Sequence, residues 1–329
     1  MTKESVLALL RQQGDYLSGQ EMSRQLGLSR AAIWKAVQAL RDDGYEIASV
    51  TNRGYKLVEH SAPLCRDEVL RALGDHPWAD RVTVLDSVDS TSTLAKKLAA
   101  EGATHGTVVV ANQQTGGRGR MGRRFASPSG VGVYLTVILR PTVPPHHLMH
   151  LTAVSAEATV EAIEAATGLR PGIKWTNDVV IDGRKCVGIL TELSIQAESG
   201  LVDYVVVGIG TNCNHGDGDF PPEVRPMAVS LKEATGQTVN RNCYAAELIR
   251  QLYRADRELL TEKAAWMTRY AADCVTIGKE IQVIRGGEAR PAHADGIDED
   301  AGLLVTWPDG TKETITSGEV SVRGMYGYV

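Results

Sequence analysis

The stretch Gly116-Gly117-Arg118-Gly119-Arg120-Met121-Gly122-Arg123-Arg124 interleaves glycine with guanidinium groups, a pattern unsuited to a packed helix or strand. Glycine lets the backbone approach a ligand and reach positive φ, while Arg offers a planar fork of donors matched to phosphate or carboxylate oxygens. A solvated basic turn is the plain alternative, and the flanks argue against it. Thr107-Val108-Val109-Val110-Ala111 before the loop and Gly132 to Leu139 after it read as short apolar strands, so the loop joins two buried strands. It lacks the Gly-Lys-Ser/Thr ending of a P-loop and any helix-opening GxGxxG, which weakens kinase, ATPase and dehydrogenase readings.

The 329 residues suffice for two or three domains. A formal charge of −5 disfavours a protein that coats nucleic acid or membrane and leaves room only for local basic patches. Cys65, Cys186, Cys213, Cys243 and Cys274 are scattered, with no CxxC or His-Cys cluster, as expected of reduced thiols and of a chain without a structural metal. His146 and His147 follow a Pro-rich loop and read as surface residues. Met1 to Ser5 lead into a polar helix and no apolar run approaches the roughly 20 residues of a membrane span, so a cytoplasmic protein without membrane contact is expected.

Near the N-terminus, Val6, Leu7, Leu9 and Leu10 mark one amphipathic helix, and Ser18-Gly19-Gln20-Glu21 is a capping box opening a second. Gly27 supplies a turn and Ser29 caps a third helix with Ile33, Val37 and Leu40 on one face. Arg30, Trp34, Lys35, Gln38 and Arg41 occupy the other side, the layout of a helix-turn-helix whose third helix reads DNA. Tyr45 to Val50 and Tyr55 to Val58 form a wing around Thr51-Asn52-Arg53-Gly54, with Arg53 at the tip facing DNA. Residues 1–60 hold eight Lys and Arg against seven Asp and Glu, a balance of +1. So small a charge implies modest affinity for DNA as a monomer, and dimerisation is the natural remedy.

After a linker at Ser61-Ala62-Pro63, strands and helices alternate to about Ile277. Asp89-Ser90-Thr91-Ser92 gathers hydroxyls at the start of a helix expected over Leu94 to Ala100; they serve as caps or hold a small polar ligand. Lys174, Asn177 and Asp178 lie between apolar strand runs, where polar groups need partners. Asp182-Gly183 is a hairpin turn that brings Lys185 back beside Lys174. Gly208 and Gly210 close another strand before Thr211-Asn212-Cys213-Asn214, suggesting close backbone approach. From Gly278 the chain changes to short strands at Ile281–Ile284, Ala292–Ile297, Leu303–Val305, Thr314–Thr316 and Val320–Val322, as in a small β-barrel.

Taken in order, these motifs make the chain resemble the bifunctional biotin protein ligases that are also biotin-operon repressors. Residues 1–60 fit the winged helix, Asp89 to Ser92 the family's Asp-Ser-Thr-Asn, and the Arg/Gly loop its GRGRRGR. Lys174 to Asp178 fit Lys-Trp-Pro-Asn-Asp; Gly183-Arg184-Lys185 to Glu192 fit Gly-Arg-Lys...Gly-Ile-Leu-x-Glu; Gly210 to Asn214 fit Gly-Ile-Asn-x-Asn. Met121, Ser92, Thr176 and Phe125 depart from it, standing for Arg, Asn, Pro and a common Trp. The resemblance implies an α+β multidomain fold: a winged helix-turn-helix over 1–62, a class II synthetase-like ligase domain with a mixed sheet over 63–277, and an SH3-like β-barrel over 278–329.

The resemblance also implies an activity, that of a biotin-[acetyl-CoA-carboxylase] ligase. Biotin and ATP, with substrate-associated Mg²⁺, give biotinyl-5′-AMP and pyrophosphate, and a lysine of the biotin carboxyl carrier protein of acetyl-CoA carboxylase, or a related carboxylase, accepts the biotin. The adenylate complex forms a homodimer that represses at biotin operator DNA. On the matching positions, Ser90, Thr91, Ser92 and Gln114 bind biotin's head while Arg118, Gly119 and Arg120 close over its carboxylate. Lys174 spans both substrates. Arg118, Arg120, Arg123, Lys174, Asn177 and Asn212 meet ATP or the adenylate, and Arg118, Arg120, Lys174 and Asp178 form the catalytic set. Asp178 has three candidate roles: orienting the acceptor lysine, meeting Mg²⁺-ATP, or pairing with Lys185. DNA contacts fall to Ser29, Arg30, Trp34, Lys35, Gln38 and Arg53. A ligase with a non-repressing winged helix, and a non-catalytic sensor-repressor, are the alternatives. Lipoate ligases and octanoyltransferases share the catalytic fold, and the Arg/Gly loop with Lys-Trp-x-Asn-Asp favours biotin.

Overall fold

The computed structural model describes residues 2–58, 62–285, 287–316 and 319–322. Ser61 of the expected linker falls outside them. The chain divides into two compact units, Met1–Leu64 and Cys65–Val329.

In the first unit α1 (Thr2–Gln13), α2 (Gly19–Leu26) and α3 (Arg30–Asp42) precede a hairpin of β1 (Ile47–Val50) and β2 (Gly54–Leu57). Ser18 Oγ accepts from Glu21 N–H and Ser29 Oγ from Ala32 N–H, satisfying donors that a helix start leaves open. The capping box forms by half, because the Glu21 carboxylate accepts from Arg24 and Gln25. Ile33, Val37 and Leu40 bury against Val6, Leu10 and Met22, as the spacing requires. No local pattern marks the pairing of Leu17 with Tyr55, through two backbone bonds of 2.8 and 2.9 Å, which adds an edge to the wing. Gly54, at φ 103°, permits this, since a Cβ there would lie 2.1 Å from the Leu17 carbonyl oxygen.

The second unit runs α4 (Arg66–Leu73), β3 (Val82–Leu85), α5 (Thr91–Ala100), β4 (Thr107–Ala111), β5 (Val133–Leu139), α6 (Leu151–Thr167), β6 (Gly172–Lys174), β7 (Asp178–Ile181), β8 (Arg184–Ile195) and β9 (Val202–Thr211). It continues through α7 (Leu231–Thr235), α8 (Arg241–Glu258), α9 (Lys263–Asp273), β10 (Glu280–Arg285), β11 (Glu288–Ile297), β12 (Leu303–Thr306), β13 (Lys312–Ile315) and β14 (Glu319–Val322). Seven strands make a mixed sheet in the order β3-β4-β5-β9-β8-β7-β6, with β3 and β4 parallel and the other neighbours antiparallel. α5 packs through Ala95 and Ala99 on Val109, Ile138 and Val206. Strand alternation places Gly208 and Gly210 on that same face, just beyond the start of α5.

Helix α5 begins at Thr91, three residues before the expected Leu94, because Ser90 caps it, with Oγ 3.4 Å from Thr93 N. The last five strands form an antiparallel sheet ordered β13-β12-β11-β10-β14, with a bulge between Ala294 and Gly296. Among the described residues β13 and β14 are its two edges, in keeping with the expected small β module.

His215, in the loop after β9, is buried, and neither ring nitrogen has a hydrogen-bond partner among the described residues. The ring stacks on Phe220 with centroids 4.9 Å apart. Burial holds its pKa down from 6.5 to about 4. Between those values the unfolded chain binds a proton that the folded chain refuses. The stabilisation is therefore complete above pH 6.5 and lost as pH falls toward 4. At about 1.4 kcal/mol per unit the loss reaches roughly 3 kcal/mol. His215→Phe keeps the stack and removes the titration, so its urea midpoint should fall less than the wild type's between pH 7 and 4.5. Parallel pH profiles would contradict the assignment.

Candidate functional site

A cavity of about 420 Å³, mouth included, opens beside the start of α5. Its floor is glycine: Gly188 of β8 with Gly208 and Gly210 of β9. A Cβ at 208 would lie 2.4 Å from Ser92 Oγ, and one at 210 would lie 2.6 Å from the Phe125 ring, so side chains there would collide with the cavity's own lining. The polar lining is a relay. Gln114 Oε1 accepts from Thr91 N–H at 2.9 Å and from Thr91 Oγ1 at 3.1 Å, while Gln114 Nε2 donates to Ser127 Oγ at 2.9 Å. Thr136 Oγ1 donates to Thr91 Oγ1 at 2.9 Å and lies 3.3 Å from Ser92 Oγ. Such a linked set orients each hydroxyl and suits a small polar head group. Thr136 was missed from the sequence; its signal is a hydroxyl in the otherwise apolar, wholly buried β5.

A second cavity, about 500 Å³ with its open mouth included, is lined by the cations Arg120, Arg123, Lys174 and Lys185, together with Asp178, Trp175 and Val320. The two cavities share a wall of Arg120, Asn177 and Lys185. That wall is linked: Arg120 Nη1 donates to Asn177 Oδ1 at 2.6 Å, Asn177 Nδ2 to Asp178 Oδ1 at 3.1 Å, and Lys185 Nζ to the same Oδ1 at 2.5 Å. The register explains the meeting, because β7 pairs antiparallel with β8 and sets Asp178 opposite Gly188, within reach of the Lys185 side chain.

The Arg/Gly loop folds back on itself. Arg118 bridges Arg124, Gly119 N–H donates to Arg123 O at 2.8 Å, and Phe125 N–H to Gly117 O at 3.0 Å. Gly117 is obligatory, since its Cβ would meet the Phe125 carbonyl at 2.3 Å. Met121 sits at φ 54° with its side chain exposed, at the turn. Arg118 lies 3.6 Å from Glu192, which also accepts from Lys96 at 2.8 Å.

Thr91, Ser92, Gln114, Arg118, Gly119 and Arg120 come together on the first cavity. Arg123, Lys174 and Asp178 come to the second, and Arg120 and Asn177 to both. Lys174 was expected to span both; it is buried on the second alone, and Lys185 holds the shared wall because the hairpin returns it there. Of the three roles for Asp178, the geometry contains the Lys185 ion pair. Ser90 lines neither cavity and caps α5. Asn212 likewise lines neither; its side-chain amide donates to the carbonyls of Lys185 at 3.3 Å and Val229 at 3.2 Å, fixing the Lys185 backbone. Among the described residues no three His, Cys, Asp or Glu gather as a metal site, and no helix is long and apolar enough to cross a membrane.

Known proteins are similar to this chain along nearly its full length. The biotin/lipoate A/B protein ligase family model matches residues 84–212, a helix-turn-helix domain model 2–56, and a biotin protein ligase C-terminal domain model 276–323. The bifunctional ligase/repressor BirA of Bacillus subtilis is 36% identical over 317 residues, 94% of this chain and 96% of that protein. The chain belongs to the BirA-type bifunctional ligase/repressor family. The Escherichia coli BirA is 32% identical over 320 residues, 97% of this chain and 96% of that one. A solved biotin protein ligase from Aquifex aeolicus, in complex with biotin and ATP, superposes with a TM-score of 0.63 at 29% identity, covering 74% of this chain and 98% of its own.

In the BirA-type winged helix, Arg30, Trp34 and Lys35 stand exposed on α3, Trp34 at 54%. Gln38 is half-buried and Ser29 serves as cap. Arg41 turns back to donate to Ile47 O at 2.7 Å. Arg53 sits in the wing turn, with its guanidinium 3.7 Å from Asp15 and 4.5 Å over the Tyr16 ring, so its charge is drawn toward the α1–α2 connection. The starts of α2 and α3 and the wing flank an open groove of about 1130 Å³, solvent at its mouth included.

The Gly117 contact generates a test of the loop. Gly117→Ala should separate the loop from Phe125 and speed trypsin cleavage at Arg118 to Arg124 by about tenfold, the effect of 1.4 kcal/mol on an opening equilibrium. Cleavage at the wild-type rate would contradict the packing described.

Proposed function

We infer that this protein is an ATP-dependent biotin protein ligase that also represses transcription. A carboxylate oxygen of biotin attacks the α-phosphorus of ATP. A P–O bond forms to give biotinyl-5′-AMP, and the bond to the β-phosphate breaks to release pyrophosphate. The amine of an acceptor lysine then attacks the anhydride carbonyl, AMP departs, and one proton is lost. Neither step needs an enzyme nucleophile; both need positioning and charge stabilisation.

The observation that carries this reading is the shared wall. One cavity is floored by glycine and edged by hydroxyls, the other is rich in cations, and they meet at Arg120, Asn177 and Lys185, where two anions would have to approach. The BirA relatives are named as ligase/repressors, and the Aquifex aeolicus ligase is in complex with biotin and ATP, which supports biotin and ATP as the pair of substrates. Thr91, Ser92 and Gln114 would hold the ureido head, with Arg118, Gly119 and Arg120 over the carboxylate. Lys174 and Arg123 would meet the phosphates, and Arg120 with Lys185 the reacting pair. Mg²⁺ would enter with the triphosphate and screen its charge, with Asp178 as the carboxylate on that side.

The acceptor in this reading is the biotin carboxyl carrier protein of acetyl-CoA carboxylase or a related biotin-dependent carboxylase, and the setting is the cytoplasm. Three modules, 1–62, 63–277 and 278–329, divide the work. Biotinyl-5′-AMP favours a homodimer whose paired α3 helices, with Arg30, Trp34 and Lys35, sit on two halves of a biotin operator, while the groove by the wing takes the DNA backbone.

Incubated with biotin, ATP and a biotin carboxyl carrier domain, the protein should add one biotinyl group to one lysine, read by mass spectrometry. An unmodified carrier domain would sink the ligase reading. Arg120→Gly should make adenylate but leak it, biotinylating bystander proteins; full adenylate retention by that variant would contradict its role in closing the loop. For the DNA face, Arg30→Ala and Lys35→Ala should each lower operator affinity and reduce the slope of log K against log salt by about 1. An unchanged slope would remove them from the phosphate contacts.

A further inference from the structure

The C-terminal sheet reaches the cleft at two places. Val320 of β14 lines the second cavity, and the carbonyl of Ala301, between β11 and β12, accepts the indole N–H of Trp175 at 2.8 Å. Trp175 sits between Lys174 and the Asn177–Asp178 pair and is buried. A buried indole N–H needs an acceptor, and this one takes it from the other end of the unit.

Both ends of that bond are held. Trp175 N–H donates to Thr276 Oγ1 at 3.0 Å, and Tyr270 OH donates to Thr176 O at 3.3 Å. On the other side Ala301 has φ 65°, a conformation that side-chain-bearing residues rarely adopt, so the turn must be fixed by its surroundings. Asp298 Oδ1 does this, accepting from Asp300 N–H at 2.9 Å and Gly302 N–H at 2.6 Å. Gly302 admits that carboxylate, since a Cβ would lie 2.6 Å from Asp298 Oδ2. Lys263, the first residue of α9, pairs with Asp300 at 2.5 Å, and the same helix carries Tyr270. The contacts close a ring: Ala301 turn, Trp175–Thr176, Tyr270, α9, Lys263 and back to the turn.

We propose that this ring is how the C-terminal module enters the reaction, with Trp175 as the positioning residue that sets Lys174, Asn177 and Asp178 on the nucleotide side of the cleft. The proposal rests on the ligase reading above. Lys174 ends β6 and Asp178 begins β7, so Trp175 lies in the three-residue connection between the two charged groups, beside the Arg120–Asn177 and Asp178–Lys185 contacts that hold its far end. Displacements of about 1 Å at a reacting centre can lower rates a hundredfold. The hydroxyl relay of the first cavity stands on α5 and β5 instead, and of the three residues that Trp175 positions only Asn177 also lines that cavity, so loss of the ring should be felt far more by the nucleotide than by biotin.

The test has two arms. In adenylate synthesis, Trp175→Phe should lower kcat/KM for ATP about tenfold while KM for biotin stays within about twofold. Trp307→Phe, which removes an indole bond to Glu313 of 3.0 Å inside the C-terminal sheet, should change neither. Equal effects of the two variants, or parallel losses for both substrates, would overturn the proposal as mere loss of stability. In the second arm, Asp298→Ala, a change confined to the Ala301 turn, should raise amide hydrogen exchange over residues 174–178 about tenfold and leave residues 91–95 as in the wild type. Unchanged exchange at 174–178 would overturn the coupling. If the wild type makes no adenylate, the ligase reading fails, and the exchange arm still decides whether the turn holds the motif.

Discussion

Two anions must meet for this chemistry, and the repulsion between them is the constraint around which the cleft is built. Two unit negative charges 4 Å apart repel by about 4 kcal/mol at an effective dielectric of 20, close to a thousandfold in rate. The cations at the junction of the two cavities offset that repulsion only if they are fixed beforehand, because a mobile cation must be reorganised during the reaction. Arg120 is held by Asn177, and Lys185 by Asp178, with the backbone carbonyl of Lys185 gripped in turn by Asn212. An acidic residue so near the reacting centre is intelligible as the holder of a lysine.

The rest of the unit serves that junction. Glycines at 188, 208 and 210 clear space on the sheet face beside α5, and Gly117 lets the arginine loop fold against Phe125. Antiparallel pairing of β7 with β8 delivers Asp178 and Lys185 to one place. The Ala301 turn, 126 residues beyond Trp175 in sequence, reaches the same motif through one indole bond. Local sequence supplies the charged groups, and long-range pairing gives them their positions.

That division explains what could be read from the sequence. The arginine loop, the Ser90 cap, the Asp182-Gly183 hairpin and the apolar spacing of α3 are local patterns, legible from a few neighbouring residues. The sheet order, with β9 inserted between β5 and β8, is not local, and no spacing encodes it. For the same reason the hairpin turn places Lys185 beside Lys174 without revealing the shared wall, and nothing near Asn212 in sequence shows that its amide faces two backbone carbonyls. Thr136 stood in plain sight as a polar residue in an apolar strand, yet only its distances to Thr91 and Ser92 give it a purpose. The partners of Arg53, Asp15 and Tyr16, lie far back in the chain, so its wing-tip position is legible locally and its contacts are not.

The measurement that tests the central claim most directly is biotin-dependent exchange of labelled pyrophosphate into ATP, because it reports the first chemical step without an acceptor protein or DNA. The account predicts exchange with biotin, none with lipoate, and a loss of at least about a hundredfold in Lys185→Met, the cost of removing one fixed charge at the reacting centre. Exchange that persists at the wild-type rate in Lys185→Met would contradict the claim that the two anions meet at the shared wall.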